Sequence, residues 1–408
     1  MKLLIVNQPL NNRGDESAHK GLVRSLAANL PNAEITVLFA GGVKDDTVRQ
    51  FNVTLPNVEY IILPNQYSWN FRKRVLKLNI KPLWFAHPIV WRIFSYYRKA
   101  DCVICAPGGI CMGGFQDWMH LFYLYMAKLA RKPLVYYGRS LGPFPTATWQ
   151  NRRFKKISLE MINYFSFCSI RDKKTQILAD EMGVKYEPTV DSAFLDSPEQ
   201  NIPQEILDMI GGEPYVVFVP NSLIWHYAYK QYTKVQALSF YKEIYEAYVK
   251  KYEGCKVVML PQTFNNGTPL LDDYYFMCEL RDYLNDTNVV VVPDTYSSDI
   301  QQMVIKNAVC LVGARYHSVV FALNQDVPFV ALSYEHKISG LLESLGKTAN
   351  MVDITHVFES KDIQKDCVSK FKVSLDKAQT DSKGKTEAKN QAMECFNKLL
   401  TYLHTLNA

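Results

Sequence analysis

Strand-length apolar runs alternate with helical patterns along nearly all of this chain, in two series divided by a polar, turn-rich stretch. The first series has runs at 3–6, 35–39, 60–63, 102–106, 134–137 and 165–170, with a short one near 184–186. The second has runs at 215–219, 257–260, 289–292, 309–312 and 329–332. Between them, apolar residues recur at helical spacing, as Leu22, Leu26 and Leu30 do. A strand that must return through a helix builds parallel sheets covered by helices. The expected fold class is therefore α/β, with two Rossmann-like domains facing a cleft. Residues 196–203, followed by Gly211-Gly212, read as the linker. The expected boundaries are 1–197 and 198–385, then a helix over 386–408 that packs across a domain surface through Ala392, Phe396, Leu399, Leu400 and Leu403.

Size and composition agree with two soluble cores. The chain has 408 residues, 48% hydrophobic and 21% charged, more than one ordinary core holds. No apolar run reaches about 18 residues, and the opening Met1-Lys2-Leu3-Leu4-Ile5-Val6-Asn7 breaks off too soon for a signal peptide, so a cytoplasmic location is expected. Nine cysteines sit scattered in apolar runs, which suits buried free thiols in a reducing compartment. Cys102 and Cys105 have the gap of a zinc half-site, but a strand sends them to opposite faces, and no metal is expected.

The net charge of +6 is unevenly spread. Between 67 and 99 stand Arg72, Lys73, Arg74, Lys77, Lys81, Arg92, Arg98 and Lys99 with no acidic residue, interleaved with Trp69, Trp84, Phe85, Trp91, Phe94 and other aromatics. That mixture suits the boundary between anionic headgroups and acyl chains, so peripheral contact with the inner face of a membrane is expected. The alternative is an aromatic core with a solvated cationic rim. Nucleic acid binds through similar chemistry but is not expected as a partner.

Ligands of such sheets bind beyond the carboxyl ends of the strands, so the loops there carry most weight. In Gly313-Ala314-Arg315-Tyr316-His317 an apolar strand becomes a helix. A helix N-terminus favours an anion, Arg315 adds a planar fork, and His317 can move a proton near neutral pH. Equally, Arg315 can pair with a carboxylate and His317 can cap or pack. In Asn11-Asn12-Arg13-Gly14-Asp15-Glu16, Asp15 is a candidate base for a sugar hydroxyl or a cap for its own helix. Pro107-Gly108-Gly109-Ile110-Cys111-Met112-Gly113-Gly114 reads as a loop where bare backbone can approach a ligand; it matches neither the phosphate-binding Walker pattern nor the dinucleotide fingerprint. Gly138-Arg139-Ser140-Leu141-Gly142-Pro143-Phe144 reads as a cationic turn, and Arg171 ends a strand. Lys337 starts a helix, where a cation is poorly placed for the helix dipole and suggests an external anion.

In this order these segments resemble the polysaccharide pyruvyltransferase family. Asn12-Arg13-Gly14-Asp15 is similar to its Asn-x-Gly-Asp, Pro107-Gly108-Gly109 to its glycine turn, and Gly138-Arg139-Ser140-Leu141-Gly142-Pro143 to its Gly-Gln-Ser-x-Gly-Pro. Ile170-Arg171-Asp172, Val190-Asp191-Ser192-Ala193-Phe194 and Gly313-Ala314-Arg315-Tyr316-His317 also match. Arg139 replaces the usual glutamine, and Glu335-His336-Lys337 replaces Asp-x-Lys. The resemblance implies a fold similar to GT-B glycosyltransferases and transfer of pyruvate from phosphoenolpyruvate to a saccharide, as a ketal, in surface polysaccharide biosynthesis. It implies Arg315, His317, Arg171 and Lys337 as donor-binding residues and Asn12, Asp15, Gly108 and Gly109 as acceptor-binding residues. His317, Arg315 and Asp15 would then be catalytic. No step calls for a cofactor, and the acceptor can be lipid-linked. The competing expectations are a nucleotide-sugar glycosyltransferase and a non-catalytic saccharide-binding protein.

Overall fold

A computed structural model describes residues 1–8, 12–40, 53–63, 84–113, 116–196, 198–264, 272–380 and 382–406. The chain forms two compact units: one of Met1–Leu10, Ala18–Asp196 and Asn390–Ala408, the other of Asn11–Ser17 and Ser197–Lys389. The division falls at Asp196/Ser197, beside the expected linker. Residues 12–17, the first turn of the helix Arg13–Asn29, group with the second unit, and the end of the helix Ser382–Thr405 groups with the first.

The first unit is built on a parallel sheet. Its strands are β1 (Lys2–Val6), β2 (Glu34–Ala40), β3 (Val58–Leu63), β4 (Cys102–Cys105), β5 (Gly108–Gly113), β6 (Leu134–Gly142), β7 (Phe167–Ile170) and β8 (Glu187–Pro188). Their order is β3-β2-β1-β4-β6-β7-β8, with β5 paired to β6. Both faces are covered, which is why the strands read as apolar runs. Successive residues of one strand serve opposite cores: Leu4 and Val6 belong to one cluster, Leu3 and Ile5 to the other. Cys105 and Cys102 divide in the same way across β4, each as a buried small residue. The terminal helix adds Cys395, Phe396, Leu399 and Leu403 to the core that holds Leu22 and Leu26.

Two expected loops are strands. Residues 108–113 form β5, and β6 continues through Arg139 as far as Gly142. The apolar pattern lapses at these glycines and polar residues, but β5 and β6 satisfy each other's backbone, so pairing overrides the turn signal. The short strand lies at Glu187–Pro188, not at 184–186.

The second unit contains β9 (Tyr215–Val219), β10 (Lys256–Met259), β11 (Val289–Val291), β12 (Leu311–Gly313), β13 (Phe329–Ser333) and β14 (Met351–Asp353), ordered β11-β10-β9-β12-β13-β14 and parallel throughout. Counted within the unit this is 3-2-1-4-5-6, the Rossmann order, whose switch point lies between β9 and β12. The strand expected at 309–312 lies at Leu311–Gly313, and Ala308 before it donates to Ile305 as the end of the preceding helix.

Candidate functional site

The loops after β9 and β12 flank that switch point and are stitched by one side chain. Asn221, fully buried, donates from Nδ2 to the Ala314 carbonyl (3.1 Å) and accepts from the Leu223 N–H (2.8 Å). The second bond holds Leu223 at a φ of 58°, an unusual conformation for a leucine. Two residues on, Trp225 sets its ring 5.3 Å from the Arg315 guanidinium.

Arg315 is the N-cap residue of the helix Tyr316–Gln325. Its backbone carbonyl accepts from the Ser318 hydroxyl at 2.6 Å. That hydroxyl also explains Gly313: a Cβ there would lie 2.1 Å from Ser318 Oγ. Glycine is required by this close approach rather than by a left-handed turn.

The Arg315 fork does not stand open. Its Nε lies 3.0 and 3.2 Å from the two carboxylate oxygens of Asp273, and Nη2 donates to the same group. Asp273 begins the helix Asp273–Leu284, a favourable end for an anion, and its Oδ2 also accepts from the N–H groups of Gln262 (3.1 Å) and Thr263 (2.9 Å) after β10. Burial pulls the Arg315 pKa down, but Asp273 outweighs it and the guanidinium stays raised above its ordinary value. This corrects the picture of a fork holding a ligand by two bonds: the Nε–Nη2 edge belongs to Asp273. No hydrogen bond of Nη1 is found among the described residues.

His317 is buried in the first turn of the same helix, against residues 12–17. A Cβ on Gly14 would lie 1.7 Å from His317 Cγ, so only glycine admits the imidazole. The segment is fixed to the loop after β10: Arg13 N–H donates to Gln262 (2.9 Å), Asn12 Nδ2 to Thr263 Oγ1 (3.3 Å), and Asn12 Oδ1 accepts from Gly14 (2.7 Å). The Arg13 guanidinium is buried, 2.7 Å from Glu16, donates to the Asp294 carbonyl, and lies over Phe264 at 4.5 Å. Glu16 in turn accepts from the Ser298 N–H at the start of the helix Ser298–Lys306 (3.1 Å). Asp15 lies half-buried in this first turn.

Asn12, Asp15, Arg315, His317 and Lys337 thus belong to the second unit. Lys337 lies 3.5 Å from Glu335, so the cation at this helix start is answered by a neighbouring carboxylate. His226 stands close by: burial lowers its pKa, Glu335 opposes that, and Lys337 reinforces it.

Gly108, Gly109 and Arg171 belong to the first unit. Arg171 is salt-bridged to fully buried Asp191, whose other oxygen caps the short helix Ser192–Leu195 by accepting from Ala193 (3.0 Å). Arg139 has no exposed surface and donates to the carbonyls of Ala106 (2.6 Å), Asn7 (3.1 Å) and Gly109 (3.3 Å) and to Cys111 Sγ (3.1 Å). It fastens the ends of β1, β4 and β5 together. Residues 67–83 of the basic-aromatic stretch lie outside the described residues, while Trp84 and Tyr97 are core.

Sequence reading missed Asp273, Asn221, Trp225 and the Arg13–Glu16 pair. The paired aspartates 272 and 273 before a helical pattern, and opposite charges three apart at 13 and 16, were the signals available.

Comparison with known proteins follows the fold closely. The UDP-GlcNAc 2-epimerase of Methanocaldococcus jannaschii superposes with a TM-score of 0.57 at 11% identity, covering 98% of this chain and 100% of that one. UGT73P12 of Glycyrrhiza uralensis, in complex with glycyrrhetinic acid 3-O-monoglucuronide, gives 0.54 at 9% identity over 100% and 96%. At such identity the likeness concerns fold alone, two Rossmann-like units of GT-B type. In sequence, the amylovoran biosynthesis protein AmsJ of Erwinia amylovora is 22% identical over 388 residues, 90% of this chain and 91% of that protein. The family model Polysaccharide pyruvyl transferase matches residues 12–336, from the segment that seats His317 to the helix start beside Lys337, and the chain belongs to that family.

Proposed function

We propose that this protein transfers the enolpyruvyl carbons of phosphoenolpyruvate to a saccharide as a pyruvate ketal, in the synthesis of an exopolysaccharide. The observation that carries the reading is the junction after β12. There Arg315 is the N-cap and His317 a buried residue in the first turn of a helix that starts at the switch point of a Rossmann-ordered sheet. A phosphate or carboxylate suits that helix start, and Arg315 Nη1 is the edge of the fork left beyond Asp273.

In this reading C3 of the donor takes a proton and C2 is attacked by one sugar hydroxyl, which gives up its own proton. Inorganic phosphate leaves, and a second hydroxyl closes the ring with loss of another proton. His317 protonates C3 or stabilises the departing phosphate, and Asp15 accepts the hydroxyl proton. Arg315 and Lys337 offset the donor's charge, and Asn12 meets the acceptor beside Asp15 in the same unit. The chain's own residues supply every step, with no cofactor. The acceptor is carried on a lipid at the inner face of the membrane.

The test is phosphate release from phosphoenolpyruvate in the presence of lipid-linked oligosaccharides, with mass spectrometry seeking the ketal. Consumption of nucleotide sugars with no use of phosphoenolpyruvate would replace the reading with glycosyl transfer. Saccharide binding without turnover of either donor would replace it with a binding role. His317→Asn separates the roles of the imidazole: turnover falls while donor affinity holds if it moves the proton, whereas donor affinity falls alone if it only binds.

A further inference from the structure

The helix Pro88–Lys99 of the first unit sorts its residues onto two faces. Ile89, Val90, Ile93 and Tyr97 are buried. On the other side Trp91, Arg92, Arg98 and Lys99 are exposed, Trp91 to 57%. The indole does not use solvent for its polar group, since Nε1 donates to the Phe85 carbonyl at 2.8 Å. Its ring is held against Phe85 at 4.8 Å between centroids, and Phe85 lies 5.1 Å from Phe94. What faces outward is a fixed apolar plate whose hydrogen bond is already made, on a helix face that also carries three cations. An outward apolar ring and cations on one helix face together form an amphipathic surface. No acidic residue occurs anywhere from 67 to 99, so nothing on this stretch neutralises the cations.

We infer that this face docks reversibly on an anionic lipid bilayer. Trp91 enters the boundary between headgroups and acyl chains, while Arg92, Arg98 and Lys99 lie against lipid phosphates and carboxylates. The charge selects the partner: three cations and an apolar ring on one helix face match a surface that offers negative headgroups over hydrocarbon. Single-stranded nucleic acid fits less well, because it uses successive stacking rings along a groove, and here one ring stands on the outside of a helix. Three cations and one ring give attachment that salt weakens, not insertion.

The experiment is sedimentation of the full-length protein with vesicles of phosphatidylcholine, with and without phosphatidylglycerol, at low and moderate salt. The parent protein should bind the anionic vesicles, release with salt, and ignore the neutral ones. Changing Arg92, Arg98 and Lys99 together to glutamine should weaken binding on the order of a hundredfold. Trp91→Gln should remove the blue shift of tryptophan fluorescence that accompanies binding. These side chains are exposed, and thermal unfolding of each variant checks that the unit remains folded. Failure of the parent to bind anionic vesicles at low salt, or equal binding by parent and triple variant, would overturn the inference. Retardation of a single-stranded oligonucleotide without vesicle binding would overturn it in favour of nucleic acid.

Discussion

Arg139 and Arg315 stand toward the carboxyl ends of parallel strands in the two units, and the units use them differently. Arg139 directs its guanidinium to three main-chain carbonyls and two cysteine sulfurs, and is fully enclosed. Arg315 gives one edge of its fork to Asp273, lies over Trp225, and keeps a side chain 11% exposed. The first is a cross-link between strand ends. The second is a braced cation with one edge beyond its brace. A cation at a strand end is therefore no sign of a ligand until its N–H groups have been traced to their acceptors.

The largest effect is expected at Arg315→Ala. Turnover should fall on the order of a hundredfold or more. The second unit should also lose about 3–5 kcal/mol, because Asp273 would be left buried without its counter-charge. Adding Asp273→Asn, which removes the charge but keeps an acceptor for the Gln262 and Thr263 N–H groups, should restore much of that stability, read by denaturant unfolding, and none of the turnover. Recovery of both would break the comparison and make Arg315 a structural cross-link like Arg139. Arg315→Lys should keep part of the stability and lose activity, as an ammonium cannot reproduce the fork.

Gly14→Ala comes next, since its Cβ would occupy the place of the His317 ring. Displacing the imidazole by about 1 Å should cost about a hundredfold in turnover, with about 1–3 kcal/mol of strain. Unchanged turnover per folded molecule would show that the seat of His317 does not matter to the reaction. Arg139→Ala should act the other way, costing the first unit about 3 kcal/mol while turnover per folded molecule holds within a few-fold. A loss of turnover without a loss of stability would give Arg139 a part in the chemistry.

The smallest expected effect is on pH, in the first unit. Burial, then Lys20 and Arg24, hold His19 down at about 3, and burial with Arg139 keeps His120 well below its ordinary value. Each unfolded imidazole takes up a proton near pH 6.5 while its folded counterpart does not. The stability His19 contributes is complete above about pH 6.5 and is lost as pH falls toward 3, by about 2 kcal/mol between pH 7 and 5, and His120 acts in the same direction. His19→Gln should flatten the acid limb of the first unit's stability. An identical slope in the variant would mean that other groups control acid unfolding.

Much of the architecture was legible because its causes are local. Both faces of each sheet are covered, so strands read as apolar runs, and helices between them leave a 3.6-residue period. The junction at 313–317 and the terminal helix through Phe396 and Leu403 were found this way. The strand β5 and the extension of β6 were not, since their glycines and polar residues carry turn signals that pairing between neighbouring strands overrides. The acid that claims Arg315 was also hidden, lying 42 residues earlier in the sequence.

By itself, then, the order of apolar runs and motifs determined a two-series α/β chain of recognisable family with Arg315 and His317 at a strand-to-helix junction. Only the tertiary structure decided what those residues touch: Asp273 on one edge of Arg315, Gly14 beneath His317, and three carbonyls around Arg139. The division has a physical basis. Periodicity and helix starts follow from neighbouring residues along the chain, whereas the acceptor that satisfies a buried N–H is whichever group packing brings within about 3 Å, at any distance in sequence.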